Sequence, residues 1–95
     1  MPGAYLQINL DIKPENREAA TRVYQTYREP FLDSIKGAKT KELLVRDDDV
    51  QVLHGFDNAD QAKDYLQSNL FKNDVVRTLQ PLLSADPDIR IYICV

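Results

Sequence analysis

The sequence has few of the residues that build metal centres, disulfide frameworks and phosphate-binding loops. Its 95 residues include one cysteine, Cys94, one histidine, His54, and no tryptophan. A single Cys and a single His cannot form a disulfide framework or a Cys/His zinc site. The three glycines are scattered at positions 3, 37 and 55, which excludes a glycine-rich phosphate loop. We therefore predict a protein that uses no metal ion and no cofactor.

Charge and hydropathy argue against a nucleic-acid-binding protein and against a membrane protein. Twelve lysines and arginines stand against fifteen aspartates and glutamates, a formal net charge of −3. Such a chain offers no basic footprint to nucleic acid or to an anionic membrane surface. No run approaches the roughly 18 continuous apolar residues of a membrane span, and residues 1–4 (MPGA) lack the pattern of a secretory signal. We expect a single domain over residues 1–95, located in the cytoplasm.

The first part of the chain predicts a strand followed by a helix. Leu6, Ile8, Leu10 and Ile12 alternate with polar residues, which indicates a β-strand over 4–12. The segment 13–36 carries apolar residues at spacings of three and four, as an amphipathic helix does. They are Ala20, Val23, Tyr24, Tyr27, Phe31 and Ile35. Because Pro30 falls inside this stripe, we expect a kink or a break at residues 28–30.

The second part predicts a hairpin, a broken helix and a last strand. Residues 40–46 and 50–56 flank three aspartates, 47–49, which we interpret as the solvated turn of a β-hairpin because they lack the spacing of a calcium loop. Asn58 and Ser68 are suited to cap the starts of two helices, and Pro81 is suited to end the second. Residues 89–95 alternate again and predict a strand.

The element order is therefore β-α-β-β-α-β with both helices broken. This order predicts an α+β, ferredoxin-like split βαβ fold, in which helices cover one face of a four-stranded antiparallel sheet. Alternation assigns one set of strand residues to the core: Leu6, Ile8, Leu10, Val50, Val52, Ile89, Ile91 and Ile93. The other set is mixed and partly aromatic: Tyr5, Gln7, Asn9, Gln51, Leu53, Arg90, Tyr92 and Cys94. This second face indicates a partner surface; an ordinary solvated face is the alternative.

Few residues are candidates for chemistry. His54 lies on the apolar side of a strand, which favours a structural, hydrogen-bonded ring over a base or a ligand. Cys94 is expected to be a buried and inert thiol. Four aromatic residues fall on inward helix faces and are either core or the lining of a pocket: Tyr24, Tyr27, Tyr65 and Phe71.

Two segments of the second part carry a family resemblance. One is the helix–Ser–helix junction 62–72 (AKDYLQSNLFK), and the other is Pro81-Leu82-Leu83 followed by an alternating strand. With these segments the chain resembles the antibiotic biosynthesis monooxygenase-like proteins of the dimeric α/β-barrel superfamily, over nearly its whole length in element order. The resemblance implies a homodimer formed through the sheet face, which would cover the mixed set of strand residues.

The resemblance also implies two oxygen-dependent activities, one of which the residues disfavour. The haem-degrading branch of the group uses an Asn on the first strand, a Trp and a haem-ligating His. Asn9 matches the Asn, whereas Tyr65 stands at the Trp position and Val75 at the His position. Other members carry His near the helix junction, where this chain has Tyr65 and Leu70. Without that imidazole an iron has no axial ligand, so we predict that no haem is bound.

The other implied activity is that of a cofactor-independent monooxygenase, which oxidises a hydroquinone or a polycyclic phenol with molecular oxygen. The catalytic candidates are then Asn9, whose amide could hold an oxygen, Tyr65, which could donate or relay a proton, and His54 as the base. The candidates for binding the small aromatic substrate are Tyr24, Tyr27, Phe56 and Phe71. We expect Asn9 and Tyr65 to line one cavity. The alternative is a non-catalytic dimeric module that binds a small ligand or acts as a stress-related partner.

Overall fold

Four strands form one antiparallel sheet in a computed structural model, which describes residues 2–95 and, at 74–76, the backbone alone. The strands are β1 (Ala4–Leu10), β2 (Ala38–Val45), β3 (Val50–Phe56) and β4 (Asp88–Ile93). Their order in the sheet is β2-β3-β1-β4, and each neighbouring pair is antiparallel. This is the predicted ferredoxin-like arrangement, with β2 and β4 at the edges.

The first helix is longer and less interrupted than the sequence predicts. A 3₁₀ turn, Pro14–Asn16, leads into α1 (Arg17–Ser34), which continues through Pro30. Of the kink or break predicted at 28–30, the break is therefore wrong. Pro30 lies on the exposed side of α1, while the next residue, Phe31, is completely buried against the sheet. Packing of Phe31 outweighs the backbone hydrogen bond that a proline inside a helix removes.

The second helical region is broken as predicted, at caps that the sequence identifies. Asn58 Oδ1 accepts a hydrogen bond from Gln61 N at 2.9 Å and starts α2 (Ala59–Leu66). Ser68 Oγ accepts from Phe71 N at 3.1 Å and starts the short α3 (Asn69–Phe71). The chain continues as a π-helix, Lys72–Leu79, and a 3₁₀ turn, Gln80–Leu82. The side chain of Val75 lies outside the described residues.

The helices leave the two faces of the sheet in different environments. The side of β1 that carries Leu6, Ile8 and Leu10 is buried beneath the helices and is called the covered face. The opposite side, with Tyr5, Gln7 and Asn9 on β1, is called the open face, and these residues are only partly buried.

The burial predicted for three residues of the C-terminal segment is wrong. Ile89 is 39% exposed and Ile93 is 70% exposed, although alternation assigns both to the core. The reason is that β4 is an edge strand that the helices cover incompletely. Cys94, expected to be buried, is exposed because it follows the last residue of β4.

The acidic turn between β2 and β3 is tied to the start of α1. Arg17 donates from its guanidinium to the carbonyl oxygens of Arg46 at 2.6 Å and Asp47 at 2.8 Å. Asp47 and Asp48 are exposed, in agreement with the solvated turn that the sequence predicts. Over residues 2–95, no helix has the length and apolar character needed to cross a membrane.

Candidate functional site

A cluster of aromatic rings fills the space between the helices and the covered face. Phe31 on α1 is at its centre, with ring centroids 4.9 Å from Tyr65, 5.1 Å from His54 and 5.5 Å from Phe56, each in an edge-to-face arrangement. Phe71 extends the cluster through Tyr65 at 5.4 Å. Edge-to-face pairs of this kind add stability beyond the burial of apolar area. Phe56 and Phe71, candidates for substrate binding, thus form core contacts here.

A small, partly enclosed cavity lies next to this cluster, between α1, Leu79 and the covered face. Its volume is about 10 Å³, space for roughly one water molecule. Most of the wall is aliphatic, and includes Ile8, Leu10, Leu43, Val50, Val52 and Leu79. Among the described side chains, three polar ones complete it, namely Tyr24, Lys41 and His54. An apolar space with a few convergent polar groups is the usual make-up of a small-molecule site.

His54 is held in this wall as a neutral ring. Its Nδ1 lies 3.3 Å from the carbonyl oxygen of Leu6. A carbonyl only accepts, so this contact places the proton on Nδ1 and leaves Nε2 as an acceptor. Burial, and then the charge of Lys41, lower the pKa of His54 to about 3. This environment suits a hydrogen-bonded structural ring and makes the ring a weak base.

Lys41 is the site residue that sequence reasoning missed. It is 2% exposed, lies directly opposite His54 in the β2–β3 register, and places Nζ 5.4 Å from the centre of the Phe31 ring. Tyr24 Oη donates a hydrogen bond to the backbone carbonyl of Lys41 at 2.8 Å and so joins α1 to β2. The available signal was alternation along β2, which places Lys41 on the same side as Leu43.

The expectation that Asn9 and Tyr65 share a cavity is wrong. Asn9 lies on the open face, where its Oδ1 accepts from Gln51 Nε2 at 2.7 Å. Tyr65 lies on the covered side of the sheet, 1% exposed within the aromatic cluster. Successive strand residues point to opposite faces, so Asn9 is separated from the space above Ile8 and Leu10 by the sheet itself. The two side chains cannot act on one ligand within one protomer.

The remaining predicted site residues divide between the cavity and its surroundings. Tyr24 lines the cavity. Tyr27 Oη is 3.4 Å from Thr78 Oγ1, at the contact between α1 and the π-helix, and is not among the lining residues. Tyr65 borders a separate surface cleft of about 150 Å³, together with Gln61 and Ser68. Of the seven candidates, Tyr24 and His54 therefore line the cavity, while the aromatic cluster beside it contains His54, Phe56, Tyr65 and Phe71.

Comparison with known proteins finds the fold among solved structures. No family model matches the chain, and no curated protein matches it. A protein of unknown function from Nitrosomonas europaea superimposes over 100% of this chain and 91% of its own, with a TM-score of 0.82 and 18% identity. A structure named as a candidate antibiotic biosynthesis monooxygenase from Caulobacter crescentus gives a TM-score of 0.82 at 16% identity, covering 99% of this chain and 92% of its own.

A further structure with the same kind of name, from Bordetella bronchiseptica, covers 98% of both chains with a TM-score of 0.83 and 14% identity. These matches extend over essentially the whole chain, while their sequence identities are low. Structural similarity at such low sequence identity establishes the fold alone. The activity has to be argued from the residues of the site. The chain thus has the fold of the antibiotic biosynthesis monooxygenase-like proteins.

Proposed function

We propose that this protein is a cofactor-independent monooxygenase that oxidises a small aromatic, a hydroquinone or polycyclic phenol, with molecular oxygen. The observation that carries the proposal is the partly enclosed, largely apolar cavity on the covered face, with Tyr24, Lys41 and His54 in its wall. A largely apolar pocket of this kind limits the access of water to an oxygen-sensitive intermediate and strengthens the interaction of polar groups with developing charge. The fold shared with structures named as monooxygenases supports the same activity.

The reaction requires no electron source other than the substrate. Anthrone, whose enol tautomer is a polycyclic phenol, serves as the example. Its anion transfers one electron to dioxygen, and the two radicals combine at the carbon opposite the oxygen to give a peroxide. Loss of water from the peroxide, with the hydrogen of that carbon, leaves a carbonyl group. One oxygen atom enters the anthraquinone and the other becomes water, so dioxygen receives four electrons and the substrate supplies them.

Oxygen consumption with anthrone tests the proposal. We expect the protein to accelerate oxygen uptake and anthraquinone formation over the rate in buffer, in the presence of a metal chelator. Tyr24→Phe removes the hydroxyl that joins α1 to β2 and should lower the rate roughly tenfold or more, because small displacements of a site have large effects on rate. Tyr92→Phe removes a hydroxyl from the exposed open face and should leave the rate unchanged.

The small volume of the cavity favours a second function, that of a non-catalytic ligand-binding module. The cavity holds about one water, whereas a cavity that accepts a benzene ring measures roughly 150 Å³. A non-catalytic module that binds a small ligand weakly would fit this volume. Binding of anthrone without acceleration of oxygen uptake would support that module and contradict the monooxygenase. Neither binding nor acceleration would contradict both.

The proposal includes a cytoplasmic homodimer in which the open faces of two sheets pack together. The open face carries partly buried Tyr5 and Leu53 at its centre and exposed Leu44 and Tyr92 toward its edges. An interface that covers it should bury well over about 1,000 Å² in total. Sedimentation equilibrium at micromolar concentration should therefore give the mass of a dimer.

Two lysine variants make this measurement specific. Leu53→Lys places a charge in the middle of the open face and should produce monomers. Ile93→Lys makes the same kind of change at an exposed residue on the other side of the sheet and should leave the dimer intact. A monomeric wild-type protein at this concentration would contradict the proposed assembly.

A further inference from the structure

A surface cleft lies between the C-terminal end of α1 and one side of α2, and we call it the α1–α2 cleft. Its volume is about 150 Å³, close to that of a cavity that accepts a single aromatic ring. The lining residues come from two short segments: Ser34, Ile35 and Lys36 at the end of α1, and Gln61, Asp64, Tyr65 and Ser68 on and after α2. Spacings of three and four place the second group on one side of a helix. Among the described residues, this cleft and the cavity on the covered face have no lining residue in common.

The amide of Gln61 provides a hydrogen-bond acceptor that no described residue uses. Its Oε1 is buried and receives no hydrogen bond from the part of the chain that the structure describes. Gly37, in the turn after α1 with a φ of 82°, leaves the space in which this amide lies, since a methyl group at Gly37 would overlap it. A buried acceptor without a donor costs free energy. Rotation of the amide about its last torsion, which has a broad minimum, brings Oε1 to a donor in the cleft.

Two opposite charges lie on the two sides of the cleft. Lys36 follows α1 and Asp64 lies on α2, and both residues are exposed. Neither forms an ion pair with the other or with any further residue in the described part of the chain. The hydroxyl of Ser34, beside Lys36, is a further possible donor, whereas the hydroxyl of Ser68 already donates and accepts one hydrogen bond. The cleft therefore offers two donors on one side and two acceptors on the other.

We propose that the α1–α2 cleft binds a small α-amino acid in its zwitterionic form. The ligand carboxylate accepts hydrogen bonds from the Lys36 ammonium and the Ser34 hydroxyl. The ligand ammonium donates to the Asp64 carboxylate and to Gln61 Oε1, and the ligand side chain contacts Ile35. Hydrogen bonds between charged groups are the strong ones, so a ligand with only one of the two charges leaves half of the site unused. The inference goes beyond the proposed function, because it concerns a different site.

An NMR titration with L-alanine tests this proposal, and two probes that each lack one charged group are its controls. Propionate is alanine without the ammonium, and ethylamine is alanine without the carboxylate. We expect L-alanine to shift the backbone amide signals of residues 34–37 and 61–68. It should bind at least about tenfold more tightly than either probe, since each probe loses the hydrogen bonds of one charged group. Equal affinity for alanine and either probe would contradict the zwitterionic ligand class.

Four charge variants assign the binding to the two sides of the cleft. Asp64→Asn and Lys36→Met each remove one exposed charge of the lining and should weaken alanine binding at least about tenfold. Asp60→Asn and Lys63→Met remove the same charges from exposed positions of α2 outside the lining, and should leave the affinity unchanged. Equal effects inside and outside the cleft would mean that alanine responds to general surface charge, and would overturn the site.

Gln61→Met separates a binding role from a structural one. The substitution keeps the length of the side chain and removes the unused acceptor, so the thermal midpoint should be unchanged or higher. The affinity for alanine should nevertheless fall by about tenfold. A lower midpoint with unchanged affinity would show that Gln61 serves the fold alone. No shift at residues 34–37 and 61–68 with alanine near its solubility limit would overturn the proposal. None of these outcomes depends on anthrone oxidation, so either proposal can fail alone.

Discussion

Acidification from pH 6.5 to about 3 should reduce the free energy of unfolding by on the order of 5 kcal/mol through His54 alone. The folded protein holds the pKa of His54 at about 3, whereas the same ring in the unfolded chain titrates near 6.5. Between these values the unfolded state binds more protons, so stability increases with pH across this interval and is fully present above it. Because small domains have a total stability of about 5–15 kcal/mol, this loss could unfold the protein.

Urea unfolding at a series of pH values measures this effect. Carboxylates also titrate in the acidic range, so the comparison needs a variant without the imidazole. His54→Gln keeps a group that can donate to the Leu6 carbonyl and does not titrate. Its free energy of unfolding should change much less between pH 6.5 and 4 than that of the wild type. Parallel pH profiles would show that His54 is solvated or charged in the folded state. The chain has one histidine, so an NMR titration of its ring observes the same pKa without overlap.

Phe31→Ala should lower the free energy of unfolding by about 5 kcal/mol, the upper end of the range for buried aromatic residues. Phe31 has no exposed surface and contacts the rings of His54, Phe56 and Tyr65. It also lies beneath the ammonium of Lys41. Truncation would therefore leave a large cavity and remove the cation–π partner of a buried charge.

Phe71→Ala is the matched control for this prediction. Phe71 is 7% exposed, and its ring packs against that of Tyr65. The same substitution there should lower the free energy of unfolding by about 3 kcal/mol, the lower end of the range. Denaturant unfolding of both variants gives the comparison. A larger loss for Phe71→Ala would mean that α1 and the sheet can close around the missing Phe31 ring.

Local patterns predicted most of the fold. The alternation in β1 and the caps at Asn58 and Ser68 depend on residues within a few positions of one another, and each is observed. The failures concern tertiary packing. Pro30 stays inside α1 because Phe31 is anchored in the core, and Ile89 and Ile93 are exposed because β4 is an edge strand.

The candidate site was predicted only in part, for the same reason. Tyr24 and His54 lie on regular elements whose inward faces the spacing indicates, and both line the cavity. Alternation along β2 places Lys41 on the same side as Leu43, but which side of β2 meets the helices depends on its register with β3. The local pattern does not contain that register. The prediction that Asn9 lines a cavity with Tyr65 failed for another reason. A polar residue that alternates with apolar residues on a strand lies on the face away from the core.

The interior and the surface of this protein should respond differently to ionic strength, because their charged groups lie in different environments. The ion pairs of the β2–β3 turn are exposed, and the hydrogen-bonded guanidinium of Arg46 lowers the pKa of Asp49 there. Mobile ions in the solvent screen such pairs over about 10 Å at 0.1 M. Burial, and then the charge of Lys41, lower the pKa of His54 in a space that those ions cannot enter. Concentrated electrolyte therefore weakens the turn and leaves the acid response of the core in place.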